Sequence, residues 1–147
     1  MRLRIIVADR SEARFYDTQD ADSRLKPAGE IVDPQAHLHD RDFNSDRPGR
    51  VANQAARHSV GGENTPRRHE AEIFARKIAD ALEVARREDH FDALVLMAGP
   101  SFLGVLREAL PPSLHKLMRA EVNKDLVHQD EQAVRAHVPQ EVFKKHL

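Results

Sequence analysis

Arginine side chains are concentrated between residues 47 and 68, in the stretch RPGRVANQAARHSVGGENTPRR. The five arginines are Arg47, Arg50, Arg57, Arg67 and Arg68. They stand against one acid, Glu63, so the stretch carries +4 in a chain whose net charge is -1. Gly61 and Gly62 can turn backbone N–H groups outward, and a helix N-terminus carries about half a positive charge. This chemistry predicts an anion-binding loop, with a solvated linker as the alternative.

Carboxylates at separated positions suggest a second kind of chemistry. Asp9 ends an apolar stretch, and Glu70 or Glu72 together with Asp125 would complete an acidic cluster for two-metal hydrolysis. The alternative for Asp9 is the first position of a tight turn, with its carboxylate bonded to nearby backbone N–H groups. Both interpretations stay open at this stage.

Two further groups of polar residues are candidates for a site. HLHD places His37 and His39 on one side of an extended segment, as a divalent metal site requires, although solvated loop histidines are the alternative. EVNKDLVH places Lys124, Asp125 and His128 after an apolar strand. Asp125 as a helix cap, with Lys124 paired to an acid, is the structural interpretation of that block. No cofactor is expected.

The elements that position these residues begin with three short strands. LRIIVA at 3–8 and ARFYDT at 13–18 predict a hairpin, and GEIVD at 29–33 predicts a third strand after a KPAG turn. The polar residues 34–65 predict a long, flexible basic loop.

The second half of the chain predicts alternating helices and strands. A long helix begins near Thr65 and Pro66. Its apolar residues follow helical spacing: Ala71, Phe74, Ala75, Ile78, Leu82 and Ala85. DALVLMA at 92–98 predicts a central strand, GPSFLGVLREAL a helix from 99 to 110, and LMRAEV at 117–122 an edge strand. Short helices over DEQAVRAHV and PQEVFKKHL close the chain.

This order predicts an α/β fold in one domain over residues 1–147. The strand-helix-strand connection is right-handed, so the last two strands should run parallel beside an antiparallel hairpin or meander. We expect a mixed sheet with helices on its faces, the layout of ribonuclease-H-like folds.

Composition limits the function classes. The chain has no cysteine, which excludes disulfides, thiol catalysis and thiolate metal sites. No run of about 18 apolar residues is present, so no membrane partner is expected, and a cytoplasmic location is the default. The oligomeric state stays open.

Five blocks together resemble a known family. They are VADRSEARFY, DRPGR, HEAEIFARKIADAL, FDALVLMAGPSFLGVLREALPP and EVNKDLVH. In this order they resemble the bacterial host attachment proteins, described as proteins required for attachment to host cells. In that family the last block usually has threonine where this chain has Val127.

That family is similar to the middle domain of archaeal and eukaryotic peptide-release factors and of Pelota. In release factors a Gly-Gly-Gln loop acts at the peptidyl-tRNA ester, and the comparable position here is Gly61-Gly62-Glu63. Glu63 lacks the amide donor, so this resemblance does not by itself predict release activity.

The favoured hypothesis is a binding module for RNA or a ribosome-associated partner, acting through the arginine-rich stretch and the start of the long helix. No enzyme chemistry is compelling. The alternatives are a metal-dependent phosphodiesterase or nuclease, a peptidyl-tRNA hydrolase, and a protein-interaction module that acts indirectly in host attachment.

Overall fold

The computed structural model describes residues 1–34 and 66–144. The strands are β1 (Leu3–Ala8), β2 (Glu12–Thr18), β3 (Lys26–Val32), β4 (Ala93–Ala98) and β5 (Met118–Asn123). The helices are α1 (Pro66–Arg87), α2 (Pro100–Ala109), α3 (Pro112–His115) and α4 (Glu131–Ala136), followed by a 3-10 helix over Gln140–Phe143. Apart from Pro34, the predicted loop over 34–65 lies outside the described residues, as does Thr65, the predicted helix cap.

The five strands form one mixed sheet in the order β3-β2-β1-β4-β5. β2 is antiparallel to both β1 and β3, whereas β1, β4 and β5 run parallel to one another. The predicted mixed α/β sheet, with a meander followed by parallel strands, is confirmed. β1 and β4 lie at its centre and are buried along their whole length, as expected for strands covered on both faces.

One face of the sheet is covered by α1, α2 and α3. The six apolar residues that predicted the α1 packing face are all buried, and Ala79 joins them. Phe74 of α1 and Phe102 of α2 are fully buried, with ring centroids 6.3 Å apart. The helical spacing therefore identified this core correctly from sequence.

The other face is covered by the chain that follows β5. Alternate strand residues such as Ile5 and Val95 pack there against Leu126, Val127 and Val134. Short elements suffice because each inserts one or two apolar side chains between exposed polar ones. Asp130 caps α4, since its carboxylate accepts a hydrogen bond from the Ala133 backbone N–H at 2.9 Å.

Two boundaries differ from the predicted ones. β3 begins at Lys26, so the KPAG segment is strand and not turn. Pro27 is tolerated because β3 is an edge strand, and Gly29 adopts φ 125° beside a register shift between Phe15 and Tyr16 of β2. The last predicted helix is a 3-10 turn of four residues within the part of the chain described.

In residues 1–34 and 66–144, none of the helices combines the length and the apolar character needed to cross a bilayer.

Candidate functional site

The loops after three parallel strands meet at one edge of the sheet, which we call the carboxyl edge. β1, β4 and β5 end at Ala8, Ala98 and Asn123. The residues that follow them are Asp9, Gly99, Lys124 and Asp125. Because β1, β4 and β5 are parallel neighbours, these residues lie side by side, in the position where open α/β sheets usually bind ligands.

Asp9 is fixed by the turn that it opens. Its Oδ1 atom accepts hydrogen bonds from the backbone N–H groups of Ser11 at 2.8 Å and Glu12 at 2.9 Å, and from the Ser11 hydroxyl at 3.0 Å. The Asp9 backbone N–H also donates to the Glu12 carbonyl at 2.9 Å. This is the geometry of the tight-turn interpretation, and it leaves Oδ2 as the oxygen that faces other groups.

His128 lies between two carboxylates of the β1–β2 turn. Its Nε2 atom is 3.7 Å from Asp9 Oδ2, and its Nδ1 atom is 3.8 Å from Glu12 Oε1. Both distances exceed a direct hydrogen bond, and 63% of the His128 side chain is exposed. The imidazole therefore lies near both carboxylates without a direct hydrogen bond to either.

Gly99 lets the loops after β4 and β5 approach closely. A Cβ atom at this position would lie 3.4 Å from the Asp125 Cβ atom, a tight contact. Gly99 is also the N-cap of α2, which begins with Pro100 at N1, and no side chain of the described residues bonds to that cap. The start of α2 thus opens onto the carboxyl edge beside Asp125.

The start of α1 also belongs to the carboxyl edge. The helix ends next to the beginning of β1, because the Arg2 guanidinium donates to the Asp89 carbonyl two residues after α1. Its 22 residues span about 33 Å, whereas a six-residue strand spans about 20 Å. Arg67 and Arg68 in its first turn therefore lie far from Arg2, toward the side of the sheet where β1 ends.

The first turn of α1 contains no acidic residue. Helix starts favour acids and disfavour cations by up to about 1 kcal/mol per residue. Arg68 Nε lies 3.4 Å from Glu72 Oε2, an i,i+4 pair, with both side chains partly exposed. The first turn of α1 thus carries two cations, of which Arg68 pairs with Glu72 one turn further along.

The acidic cluster proposed for two-metal hydrolysis is not assembled. Within residues 1–34 and 66–144, no group of three or more histidine or acidic side chains is arranged to hold a metal ion. The physical reason is that the candidates have other partners. Asp9 bonds to its own turn through Oδ1, and Glu72 pairs with Arg68.

The EVNKDLVH block divides between the edge and the core. Lys124, Asp125 and His128 are exposed, whereas Val127 is completely buried in the second core. The helix cap predicted for Asp125 is wrong, since the cap of α4 is Asp130. The resembled family usually has threonine at position 127. Its hydroxyl would be buried here among apolar side chains.

Several predicted site residues lie outside the described residues. They are His37, His39, Arg47, Arg50, Arg57, Gly61, Gly62 and Glu63.

The opposite edge of the sheet, which we call the amino edge, holds ion pairs that the sequence did not indicate. Arg2 binds Asp92 through its backbone N–H at 2.8 Å and its Nε at 3.1 Å, and binds Asp89 Oδ1 at 2.8 Å. The bonds from the Arg2 side chain and backbone lower the pKa of Asp92 to about 2. These pairs join β1 to the α1–β4 connection, 87 and 90 residues away.

Residues 4–138 match the family described as "Protein required for attachment to host cells". No curated protein matches the sequence.

A solved structure entitled "Archaeal protein" is similar over 92% of this chain, at 14% identity and a TM-score of 0.37. The chain spans 35% of the length of that protein. A likeness at this level carries no argument about function.

Proposed function

The chain belongs to the family of proteins required for attachment to host cells, and from this premise we propose that it acts as a cytoplasmic binding module for RNA or a ribosome-associated RNA. The binding surface in this proposal is the carboxyl edge together with the arginine-rich stretch 47–68. The attachment phenotype then arises indirectly, through the RNA-bound partner.

The observation that carries the proposal is the placement of Arg67 and Arg68. They occupy the first turn of a 22-residue helix without an acidic residue in that turn. Because the end of this helix lies next to the start of β1, we expect its first turn on the side of the sheet where β1, β4 and β5 end. A phosphate there would accept from guanidinium groups and from helix N–H groups together, which reverses the unfavourable position of the cations.

The neighbouring loops support a polyanion more than a metal ion. Gly99 begins α2 at the same edge, so a second helix start faces the same side as the first. The nearby carboxylate Asp9 is bonded to its own turn, which reduces its repulsion of a phosphate. Because the aromatic residues of the described part lie largely in the core, we expect phosphate contacts to exceed base stacking.

Likeness to release-factor middle domains is part of the proposal. The strand order β3-β2-β1-β4-β5 with an antiparallel β2 is in keeping with a ribonuclease-H-like arrangement. No observation on the described residues favours the metal-dependent nuclease or the peptidyl-tRNA hydrolase, since the acidic cluster is not assembled there.

RNA binding is testable by fluorescence anisotropy with a labelled single-stranded RNA across a salt series. The logarithm of affinity should fall linearly with the logarithm of salt, with a slope of about -0.7 per neutralised phosphate. A charge-reversal variant should flatten this slope and weaken binding; its substitutions are Arg50→Glu, Arg57→Glu, Arg67→Glu and Arg68→Glu.

A matched control reverses four exposed cations elsewhere: Arg76→Glu, Lys77→Glu, Arg87→Glu and Lys116→Glu. Both variants change the net charge equally, so only a localised binding surface separates them. No binding by the natural chain in dilute buffer, or equal weakening by both variants, would reject the proposal. A concentration-dependent mass without RNA affinity would favour the protein-interaction alternative.

A further inference from the structure

A cleft of about 380 Å³ lies at the amino edge, away from the proposed RNA surface. One wall is formed by the end of β2 and the β2–β3 loop, and another by Lys26 at the start of β3. Arg2 and His90 close the side next to the α1–β4 connection. The volume falls in the range of small-molecule sites, and nothing proposed above uses it.

Most charges that line the cleft are already balanced by neighbours. The Asp17 carboxylate binds Arg4 at 2.8 Å through each of its oxygens. The Arg4 guanidinium is nearly buried and lies 5.3 Å from the centre of the Phe91 ring. Arg2 is held by Asp89 and Asp92. The negative charge of Asp17 is thus neutralised by Arg4, which does not line the cleft.

Lys26 and Gln19 differ from these residues. Within residues 1–34 and 66–144, neither side chain has a hydrogen bond or ion pair, and both are exposed to the cleft and solvent. Arg24 keeps 89% of its side chain exposed, with one contact of 3.4 Å to Glu131. His90, 52% exposed, adds an imidazole. The donors that remain available are therefore mainly cationic.

The loop that carries Arg24 is fixed by its own hydrogen bonds. Asp20 Oδ1 accepts from the backbone N–H groups of Asp22 at 2.9 Å and Ser23 at 2.8 Å. Arg135 donates to the Asp20 carbonyl at 2.6 Å, which ties the loop to α4. A wall held in this way needs little reordering to accept a ligand, which favours binding.

We propose that this cleft binds the phosphate group of a small phosphorylated molecule, with Lys26 and Arg24 as its charged donors. Arg24 and Lys26 are two residues apart where the β2–β3 loop enters β3, and His90 approaches from the α1–β4 connection. Several cationic donors around one cleft can bind the three or four oxygens of a phosphate, whereas a carboxylate offers only two. Gln19 supplies a neutral amide for the group to which the phosphate is attached.

The test is a titration of the full chain with inorganic phosphate, followed by backbone amide chemical shifts in NMR. Ionic strength is held constant with sodium chloride, and sodium acetate replaces phosphate in a parallel titration. We expect saturable shifts at the residues lining the cleft with phosphate, and weaker ones with acetate. Lys26→Gln should raise the dissociation constant about tenfold, as the loss of one charged hydrogen bond predicts.

Lys77→Gln is the matched control, because Lys77 is an exposed lysine on α1 and its loss changes the net charge equally. It should leave the phosphate titration unchanged, whereas Arg24→Gln should weaken it in the same direction as Lys26→Gln. The proposal is overturned by unsaturable shifts, by shifts centred elsewhere, by an equal response to acetate, or by equal weakening in the Lys77→Gln chain. Because the carboxyl edge takes no part, failure here leaves the RNA proposal standing.

Discussion

The two edges of the sheet hold their charged side chains in different ways. At the amino edge, Arg2 lies 2.9 Å from Asp92 and 2.8 Å from Asp89. At the carboxyl edge, the His128 nitrogens lie 3.7 and 3.8 Å from Asp9 and Glu12. The charged groups around Arg2 bind one another directly, whereas His128 makes no direct hydrogen bond to Asp9 or Glu12.

The difference follows from what each edge connects. At the amino edge, side chains join the N-terminus to the end of α1 and the start of β4, so ion pairs contribute to closing the fold. At the carboxyl edge, the Asp9 carboxylate holds its own turn, and the loops after β4 and β5 approach each other at Gly99. The exposed imidazole of His128 at that edge is therefore not needed to hold the loops in place.

The largest expected effect is on RNA affinity, which should depend on the start of α1 and not on its middle. The double change Arg67→Glu and Arg68→Glu should lower RNA affinity at least about tenfold at low salt, because two phosphate contacts are lost. Acids at a helix start are favourable, so the free energy of unfolding should change by less than about 1 kcal/mol. Anisotropy and urea denaturation measure the two quantities.

The control for this change is Arg76→Glu with Lys77→Glu, an exposed pair further along the same helix. It should retain nearly the natural affinity. Equal losses of RNA affinity in the two variants would mean that binding depends on net charge alone. The two edges would then not differ in RNA binding.

A smaller effect should appear when one carboxylate is neutralised at each edge. Asp92→Asn should reduce the free energy of unfolding by about 1 kcal/mol, because charged bonds to Arg2 are lost from a side chain that is 46% exposed. Asp125→Asn should change it by less than about 0.5 kcal/mol. Urea denaturation measures the free energy of unfolding of both variants. A larger decrease for Asp125→Asn than for Asp92→Asn would contradict the expected difference between the edges.

The loss of stability at low pH should also change in the Asp92→Asn variant. The Arg2 guanidinium and backbone lower the pKa of Asp92 from 3.8 to about 2. A carboxylate with a lowered folded-state pKa stabilises the protein above its ordinary pKa, and this contribution is lost as pH falls from about 4 to about 2. Asp92→Asn should therefore show a shallower decline of stability over this range in circular dichroism.

Glu83 supplies a reference for the same experiment, since it binds Arg86 and Ser113 and not Arg2. The Arg86 side chain and then the Ser113 hydroxyl lower its pKa from 4.5 to about 2. The part of the stability loss at low pH that comes from Glu83 should remain in the Asp92→Asn chain. A decline as steep as that of the natural chain in the Asp92→Asn variant would contradict the assignment to Asp92.

The smallest expected effect belongs to His128. His128→Gln should alter the free energy of unfolding by less than about 0.5 kcal/mol, because its contacts are long and its side chain is mostly exposed. Thermal unfolding measures this change. A loss well above 1 kcal/mol would identify the histidine as a structural clamp and would remove the difference between the edges.

The sequence predicted the elements best where one pattern determined them. The α1 face follows from apolar spacing, and β1 and β4 follow from unbroken apolar runs. The predicted third strand begins at Gly29, three residues too late, because proline and glycine in KPAG usually indicate a turn. At a sheet edge, however, a proline needs no ladder partner and a glycine can form a bulge.

The candidate site could be predicted only in part. Asp9, Asp125 and His128 were identified as polar residues next to strand ends, but Glu12 was missed because an alternating strand gives no sign of its partner. The pairs of Arg2 with Asp89 and Asp92 also carried no signal, since about 90 residues separate the partners. Such contacts depend on strand order, which a single sequence does not determine.

The most direct test of the account maps a short single-stranded RNA onto the full chain through backbone amide chemical shifts. The account predicts saturable shifts that weaken with salt and cluster at the carboxyl edge, around Asp9, Arg67, Arg68 and Gly99. Amides near Arg2 and Asp92 should stay unchanged. Shifts confined to the amino edge, or none even in dilute buffer, would contradict the claim that the carboxyl edge binds RNA.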